Sequence, residues 1–298
     1  MKERNLGMAA AIGCYVLWGI LPIYWKQLEG AAGAYEILAH RMIWSFVFMM
    51  FVLYGGKLFP KFRATVQELW ENKGKGLLML AASALITVNW LIFIWAVNHD
   101  RIVESSFGYY INPLFSVMLG IVFFGERLSA GKWAAMAVAF AGISYMTWQM
   151  GQLPLIAVGL ALSFGLYGAA KKQLCLNPFI SLTLETLLAL PVAFWFALMP
   201  MEGMTPQFGN GNVSVMALLM GAGVVTALPL LLFSMGANRL PLNVLGFCQY
   251  LSPSLSLAVA VFLYGEPFTA VEGISFSFIW AALVLFTAAD WVENRRKD

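Results

Sequence analysis

Ionisable side chains inside long apolar stretches are the residues of this chain best placed to do chemistry. Three of them, Glu36, His40 and Arg41, occur in the segment "YEILAHRMIWS". In a helix Glu36 and His40, four residues apart, would share one face, and Arg41 would lie about 100° further round. Glu185 lies in a second apolar stretch, "SLTLETLLAL". Charges in apolar surroundings are costly and are usually paired or functional.

Each of these groups has two interpretations. The Arg41 guanidinium could bind a substrate carboxylate through two parallel hydrogen bonds, or it could pair with Glu185 or a backbone carbonyl and join two helices. His40 is a candidate proton carrier, because the ordinary pKa of histidine is about 6.5, or it is a hydrogen-bonded packing residue. Glu36, His40 and Glu185 are therefore the candidates for proton coupling.

Neutral polar and aromatic side chains add to these charges. Together they could line a cavity for a small amphipathic ligand, although each one alone could equally be a packing residue. The predicted cavity residues are Trp18, His40, Arg41, Asn89, Trp90, Tyr110, Tyr167, Glu185, Gln249 and Tyr250.

The sequence offers little for an enzyme active site. It contains no HExxH or GxGD motif, and its two histidines and three cysteines show no CxxC or Cys/His spacing. A Walker A motif is also missing. The net charge of +3 is spread thinly rather than gathered in a basic patch, so no nucleic-acid partner is expected. We expect no catalytic residues, no metal and no cofactor.

The composition predicts the elements that position these residues. The chain is 61% hydrophobic and 11% charged, against about 25% charged in soluble domains. This predicts an all-α integral membrane protein, because long apolar runs without alternation suit helices rather than barrel strands. Ten segments have the length of a membrane span: 6–26, 33–54, 76–97, 103–124, 130–149, 153–172, 178–199, 214–236, 241–264 and 268–290.

Lysine and arginine are concentrated in alternate connections, which predicts cytoplasmic N- and C-termini and a multi-pass protein of the inner or plasma membrane. The basic connection 57–75 mixes Lys and Arg with apolar residues and is predicted to lie on the membrane surface. Lys171 and Lys172, near the end of a span, are expected to reach out to that surface.

Two segments repeat with a constant offset of 140 residues. "YINPLFSVMLGIVFFGE" (110–126) and "YLSPSLSLAVAVFLYGE" (250–266) share Tyr, Pro, Ser, Gly and Glu at the same positions. The repeat predicts two five-helix units, 6–149 and 153–290. Because five is odd, the second unit is inverted, which is typical of secondary transporters.

Two details of this repeat carry further expectations. The symmetry-related Pro113 and Pro253 are candidate hinges, because proline removes a helix hydrogen bond. Each Gly-Glu pair is expected to end a helix with a left-handed glycine, leaving the glutamate solvated at the membrane surface.

The paired P-x-x-S…G-E segments resemble the EamA branch of the drug/metabolite transporter superfamily. The N-terminal "KERNLGMAAAIGCYVLWGILPIYWKQL" and "YEILAHRMIWS" are similar to its RarD subgroup. The resemblance covers essentially the whole chain. It implies a ten-helix carrier with a central cavity between its halves, of the kind that exports amino acids, metabolites or drugs.

The sequence thus predicts a secondary transporter, with export favoured by the resemblance, working by alternating access on a small amphipathic molecule. Its expected partners are this substrate, the lipid bilayer and protons. An importer is the first alternative, and a channel or an intramembrane enzyme is a weaker one. The sequence does not indicate an oligomeric state.

Overall fold

A computed structural model describes residues 2–99, 101–151, 155–199, 206–210, 212–265 and 267–295, and its regular structure in these ranges is helical throughout. A helix lies at each predicted span. Their bounds are α1 Lys2–Lys26, α2 Ala34–Gly55, α3 Phe59–Glu71, α4 Lys73–Asn98, α5 Ile102–Phe124, α6 Ala130–Met150, α7 Leu155–Leu174, α8 Pro178–Leu198, α9 Val213–Ala237, α10 Leu242–Cys248, α11 Leu251–Ala258 and α12 Ala270–Arg295.

The predicted all-α membrane fold is confirmed. Within the described ranges, nine stretches are long and apolar enough to cross a bilayer, counting Leu242–Leu263 as one. Helix α6 matches the predicted span 130–149 but is not among these nine, so a tenth crossing stays a prediction. Helix α3 lies within the predicted surface segment and packs against α4 and α8.

The two candidate hinges differ. Helix α5 runs unbroken through Pro113. The ninth predicted span is divided into α10, α11 and a π-helical turn, Val259–Leu263. Pro253 is the third residue of α11, and it has no N–H to donate to the carbonyl of Gln249, so the helix ladder is interrupted near the junction of α10 and α11.

Helix contacts join residues 2–150, here the first unit, to residues 155–295, the second unit. Helices α4 and α5 pack against α7, while α9 packs against α1 and α2. The Arg4 Nη2–Asp290 Oδ2 distance is 2.5 Å, so both chain ends lie on the same side of the bundle. We name this side, with Lys2, Gly55 and Arg295, the terminal face, and the side with Lys26 and Ala34 the opposite face.

Candidate functional site

Two hydrogen bonds tie the units together in the interior. Ser45 Oγ of α2 donates to the Gly223 carbonyl of α9 over 2.8 Å. Ser83 Oγ of α4 donates to the Glu185 carbonyl of α8 over 3.0 Å. Positions 45 and 185 are 140 residues apart, as are 83 and 223, so the two bonds join repeat-related pairs of positions, with donor and acceptor exchanged.

Arg41 lies one turn of α2 before Ser45, at a site built by both units. Its Nε donates to Thr226 Oγ1 of α9 over 3.1 Å. Its guanidinium carbon lies 4.8 Å from the ring centroid of Trp25 and 5.6 Å from that of Trp90. Arg41 forms no ion pair with any described residue, so the hypothesis of pairing with Glu185 is wrong.

Sequence reasoning missed three neighbours of this site. Trp25 comes near the end of α1, where tryptophan is typical of a membrane interface, and Thr226 is one of many neutral polar residues. Tyr109, which is 45% exposed and whose ring lies 6.4 Å from Phe93, interacts with the Arg41 charge but lies just outside the repeated motif, which begins at Tyr110.

Glu185 belongs to a closed polar cluster instead. Its Oε1 lies 2.5 Å from Lys171 Nζ and accepts a hydrogen bond from Ser181 Oγ, and its Oε2 accepts one from the Tyr167 hydroxyl over 2.8 Å. The Lys171 and Glu185 side chains are each 2% exposed. The expectation that Lys171 reaches the membrane surface is wrong, because its charge is neutralised inside the protein.

Glu36 and His40 meet the same segment, residues 206–210, at the opposite face. Glu36 Oε1 accepts hydrogen bonds from the backbone amides of Gln207 and Phe208, at 2.8 and 2.9 Å. The Phe208 ring lies 4.4 Å from the His40 ring, and His40 Nδ1 accepts a hydrogen bond from Trp44 Nε1 over 3.2 Å. Glu36 and His40 therefore share a helix face, as predicted, and both side chains contact the segment 206–210.

Three other predicted residues join α1, α4, α7 and α9. Trp18 lies 5.6 Å from Phe164 and 5.9 Å from Phe233, and Tyr167 stacks on Phe233 at 5.7 Å. Asn89 Nδ2 donates to the Leu160 carbonyl and to Ser163 Oγ, both at 2.9 Å. Trp18 and Tyr167 therefore meet at one aromatic cluster, while Asn89 uses its amide to hold α4 against α7.

The residues drawn from the repeated motif lie in packed surroundings. Tyr110 makes an edge-to-face contact with Phe276 of α12 at 5.2 Å. Tyr250 is fully buried beside Phe247, and its hydroxyl has no hydrogen-bond partner among the described residues. Gln249 is also buried. The ring contacts of Arg41 are with Trp25 and Trp90 rather than with these tyrosines.

The Gly-Glu pair at the end of α5 does more than stop a helix. Gly125 has φ 61°, as expected, and Gly265 has φ 68°, while Glu266 lies outside the described residues. The Glu126 side chain, however, is only 9% exposed. Its carboxylate accepts bonds from the amides of Leu242 and Asn243, at 2.6 and 2.9 Å, and from Lys172 Nζ at 3.0 Å.

The expectation of a solvated glutamate at this position is therefore wrong. The left-handed glycine turns the chain back, and Glu126 then points at the first amides of α10, where a negative charge is stabilised. No group of three or more His, Cys, Asp or Glu side chains in the described ranges could hold a metal ion.

Comparison with known proteins gives the family. The EamA-like transporter family model matches residues 5–148. The uncharacterized transporter YojE of Bacillus subtilis (strain 168) is 45% identical over 287 residues, covering 96% of this chain and 94% of its own. Protein RarD of Escherichia coli (strain K12) is 40% identical over 296 residues, covering 99% and 98%.

A more distant relative, described as chloramphenicol-sensitive protein RarD of Pseudomonas aeruginosa PAO1, is 28% identical and covers 100% of this chain and 98% of its own. A crystal structure of a protein that is 15% identical superposes with a TM-score of 0.74, covering 97% of this chain and 98% of the other, which shows the fold. On these grounds, the chain belongs to the EamA-like transporter family and is a RarD-like member of it.

Proposed function

We propose that this protein is a secondary transporter that exports small amphipathic molecules, such as metabolites, amino-acid-like compounds or drugs, by alternating access. The observation that carries the proposal is the pair of bonds from Ser45 to Gly223 and from Ser83 to Glu185. A hydrogen bond between the same pair of repeat positions, made twice, is what two inverted five-helix units would make, and such units exchange their packings during transport.

The polar contacts of the terminal face support a state closed on that side. Ion pairs join the two units there, from Arg239 to Glu3 at 2.9 Å and from Lys172 to Glu126 at 3.0 Å. Lys132 of α6 also pairs with Asp290 of α12 at 2.9 Å. In this proposal the terminal face is cytoplasmic, and the Arg41 site is reached from the opposite face.

Proton coupling is a further part of the proposal. Glu36 and His40 contact the segment 206–210 at the opposite face, while Glu185 is held in the interior by Lys171. A protonation change at Glu36 would weaken its two amide contacts, because a neutral carboxyl is a poorer acceptor than a carboxylate. Protonation would then loosen the segment 206–210, whose Phe208 ring lies against His40.

The test begins with metabolite profiling of cells that lack or overproduce the protein, which supplies a labelled compound for counterflow in proteoliposomes. Radiolabelled chloramphenicol is a second probe, because a relative is described as sensitive to it. We expect saturable exchange that is faster when unlabelled compound is present on the far side of the membrane. Flux that rises linearly with concentration and shows no counterflow would indicate a channel.

Counterflow repeated between pH 5.5 and 8 tests the coupling. We expect Glu36→Gln and His40→Gln to flatten the pH dependence, whereas Gln67→Glu, an exposed change on α3, should leave it unaltered. The same pH dependence in all three variants and the wild type would remove Glu36 and His40 as proton carriers.

A further inference from the structure

We propose that Arg41 and its aromatic neighbours form a binding site for the carboxylate of an amphipathic monocarboxylate whose apolar part is aromatic or planar. This inference rests on the proposed transport function and names the class of substrate. It starts from a charge that none of the described residues neutralises.

The Arg41 guanidinium has spare hydrogen-bonding capacity. A guanidinium carries five N–H donors, and within the described ranges only the Nε–H has an acceptor, Thr226 Oγ1. The four N–H groups of the two terminal nitrogens are arranged for bidentate contact with a carboxylate. Because Nε is held by α9, the orientation of these groups is set before any ligand arrives.

The position of Arg41 makes an unpaired charge expensive. It is part-buried and lies eight positions into α2, a helix long and apolar enough to span a membrane. Arginine at such depth is rare and normally has a counter-ion. Lys171 in the same bundle follows this rule, because it has Glu185 at 2.5 Å. For Arg41 we infer that the missing negative charge arrives with the ligand.

The surroundings restrict the rest of the ligand. Trp25 and Trp90 both lie within about 6 Å of the guanidinium, the range of a cation–π contact, and Tyr109 exposes nearly half of its surface nearby. Flat aromatic walls favour a flat apolar group stacked beside the carboxylate. One guanidinium matches the charge of a monoanion, whereas a phosphate dianion would keep an excess negative charge beside the described residues.

The experiment uses the purified full-length protein in detergent and two probes of nearly equal shape, N-acetylphenylalanine and N-acetylphenylalaninamide. Binding is measured by saturation-transfer NMR and by ligand-dependent thermal stabilisation. We expect the acid to bind about tenfold to a hundredfold more tightly than the amide, the factor that charge-assisted hydrogen bonds give. Equal binding of acid and amide, or tighter binding of benzyl phosphate than of the acid, would overturn the proposal.

Variants assign the preference to Arg41. Arg41→Gln should remove it, so that acid and amide bind alike, while Arg41→Lys should keep a reduced preference through its charge. Arg63→Gln is the matched control, because it removes an exposed arginine of α3 and should leave the preference intact. A preference that persists in Arg41→Gln would exclude this site.

If Arg41→Gln fails to fold, Trp90→Leu serves in its place, since it should weaken N-acetylphenylalanine more than N-acetylalanine. Equal weakening of both compounds would contradict the aromatic wall. Failure of the site and failure of transport remain distinguishable. Acid-selective binding without counterflow would refute the transporter, and counterflow with unchanged selectivity in Arg41→Gln would refute the site.

Discussion

The two interior crossings, α2 with α9 and α4 with α8, each make one hydroxyl-to-carbonyl hydrogen bond between repeat-related positions, but the donor and acceptor positions are exchanged and the helices pack differently. At the first, Gly223 places its backbone directly against Trp44 and Ser45. At the second, the corresponding position holds Ser83, which has a side chain and donates the hydrogen bond, and α4 packs along less of α8 than α2 does along α9. The acceptor residue at the second crossing is Glu185, which also carries the buried ion pair.

The difference bears on how the proposed units could exchange packings. Helices α2 and α9 both begin at the opposite face, whereas α4 and α8 both begin at the terminal face. The two crossings therefore occupy equivalent positions measured from opposite sides of the bundle. Full exchange would require α4 and α8 to approach as closely as α2 and α9 do now. Because Ser83 has a side chain where Gly223 has none, the two states cannot be mirror copies of each other.

The largest expected effect comes from removing one charge of the buried Lys171–Glu185 ion pair, which lies beside the second crossing. Glu185→Gln keeps the backbone carbonyl that accepts from Ser83 but leaves Lys171 buried without a counter-ion. We expect a loss of about 3–5 kcal/mol in the free energy of unfolding, measured by denaturant titration in detergent micelles. The pair Lys171→Met with Glu185→Leu should regain most of this loss, because no charge is then buried.

An exposed pair provides the control for that experiment. Lys75 and Glu68 also lie 2.5 Å apart, but their side chains are 45% and 50% exposed. Glu68→Gln should therefore change the unfolding free energy by less than about 1 kcal/mol. If Glu185→Gln were as mild as Glu68→Gln, the interior cluster would not hold the second crossing.

The next effect tests the close approach at the first crossing. A Cβ at position 223 would lie 2.2 Å from the Trp44 carbonyl carbon and 2.4 Å from the Ser45 amide nitrogen, and backbone cannot swing aside as a side chain can. Gly223→Ala should cost about 1–3 kcal/mol through overpacking, measured by the same titration. Gly159→Ala is the control, since its Cβ would meet only Ile92 Cδ1 at 3.6 Å; an equal cost for both would show that the crossing is not tight.

A third prediction extends the comparison to the terminal face, toward which the second crossing lies. Glu126→Gln loses the charge that caps the amides of Leu242 and Asn243. Hydrogen exchange in the peptide 240–248 should become about tenfold faster, the factor for one charge-assisted bond reduced to a neutral one. Lys172→Met, which leaves the Glu126 carboxylate in place, should have a smaller effect, and a larger one would give the capping role to Lys172.

Much of the fold could be predicted from the sequence, because the length and apolar composition of each span are local properties. Helices begin or end within four residues of nearly every predicted boundary. The left-handed glycines at 125 and 265 were predictable for the same reason, since conformation at a helix end is a local property. The division of the ninth span could not be predicted, because Pro253 and Pro113 look alike in sequence yet only Pro253 lies beside a break.

The candidate site was harder to predict, because side-chain partners come from distant parts of the chain. Arg41 was correctly singled out as unusual, but its actual neighbours Thr226 and Trp25 carry no signal that links them to it. Lys171 and Glu126 were both assigned to the membrane surface from their positions near helix ends. Burial of a charge depends on a partner across the bundle, which a local pattern does not contain.

The smallest expected effect measures whether the two crossings act together. Ser45→Ala and Ser83→Ala each remove one hydrogen bond to a carbonyl, for about 0.6 kcal/mol, the average for such bonds between membrane helices. If the crossings are independent, the double variant should lose the sum of the two within about 0.3–0.5 kcal/mol.

Alternating access predicts a different result for function. Loosening only the α2–α9 crossing should favour one of the two states, and loosening only the α4–α8 crossing should favour the other. Counterflow rates in the double variant should therefore return toward the wild type. Counterflow that falls further in the double variant than in either single variant would mean that the two bonds stabilise one state, and that the repeated contact has no opposing roles in transport.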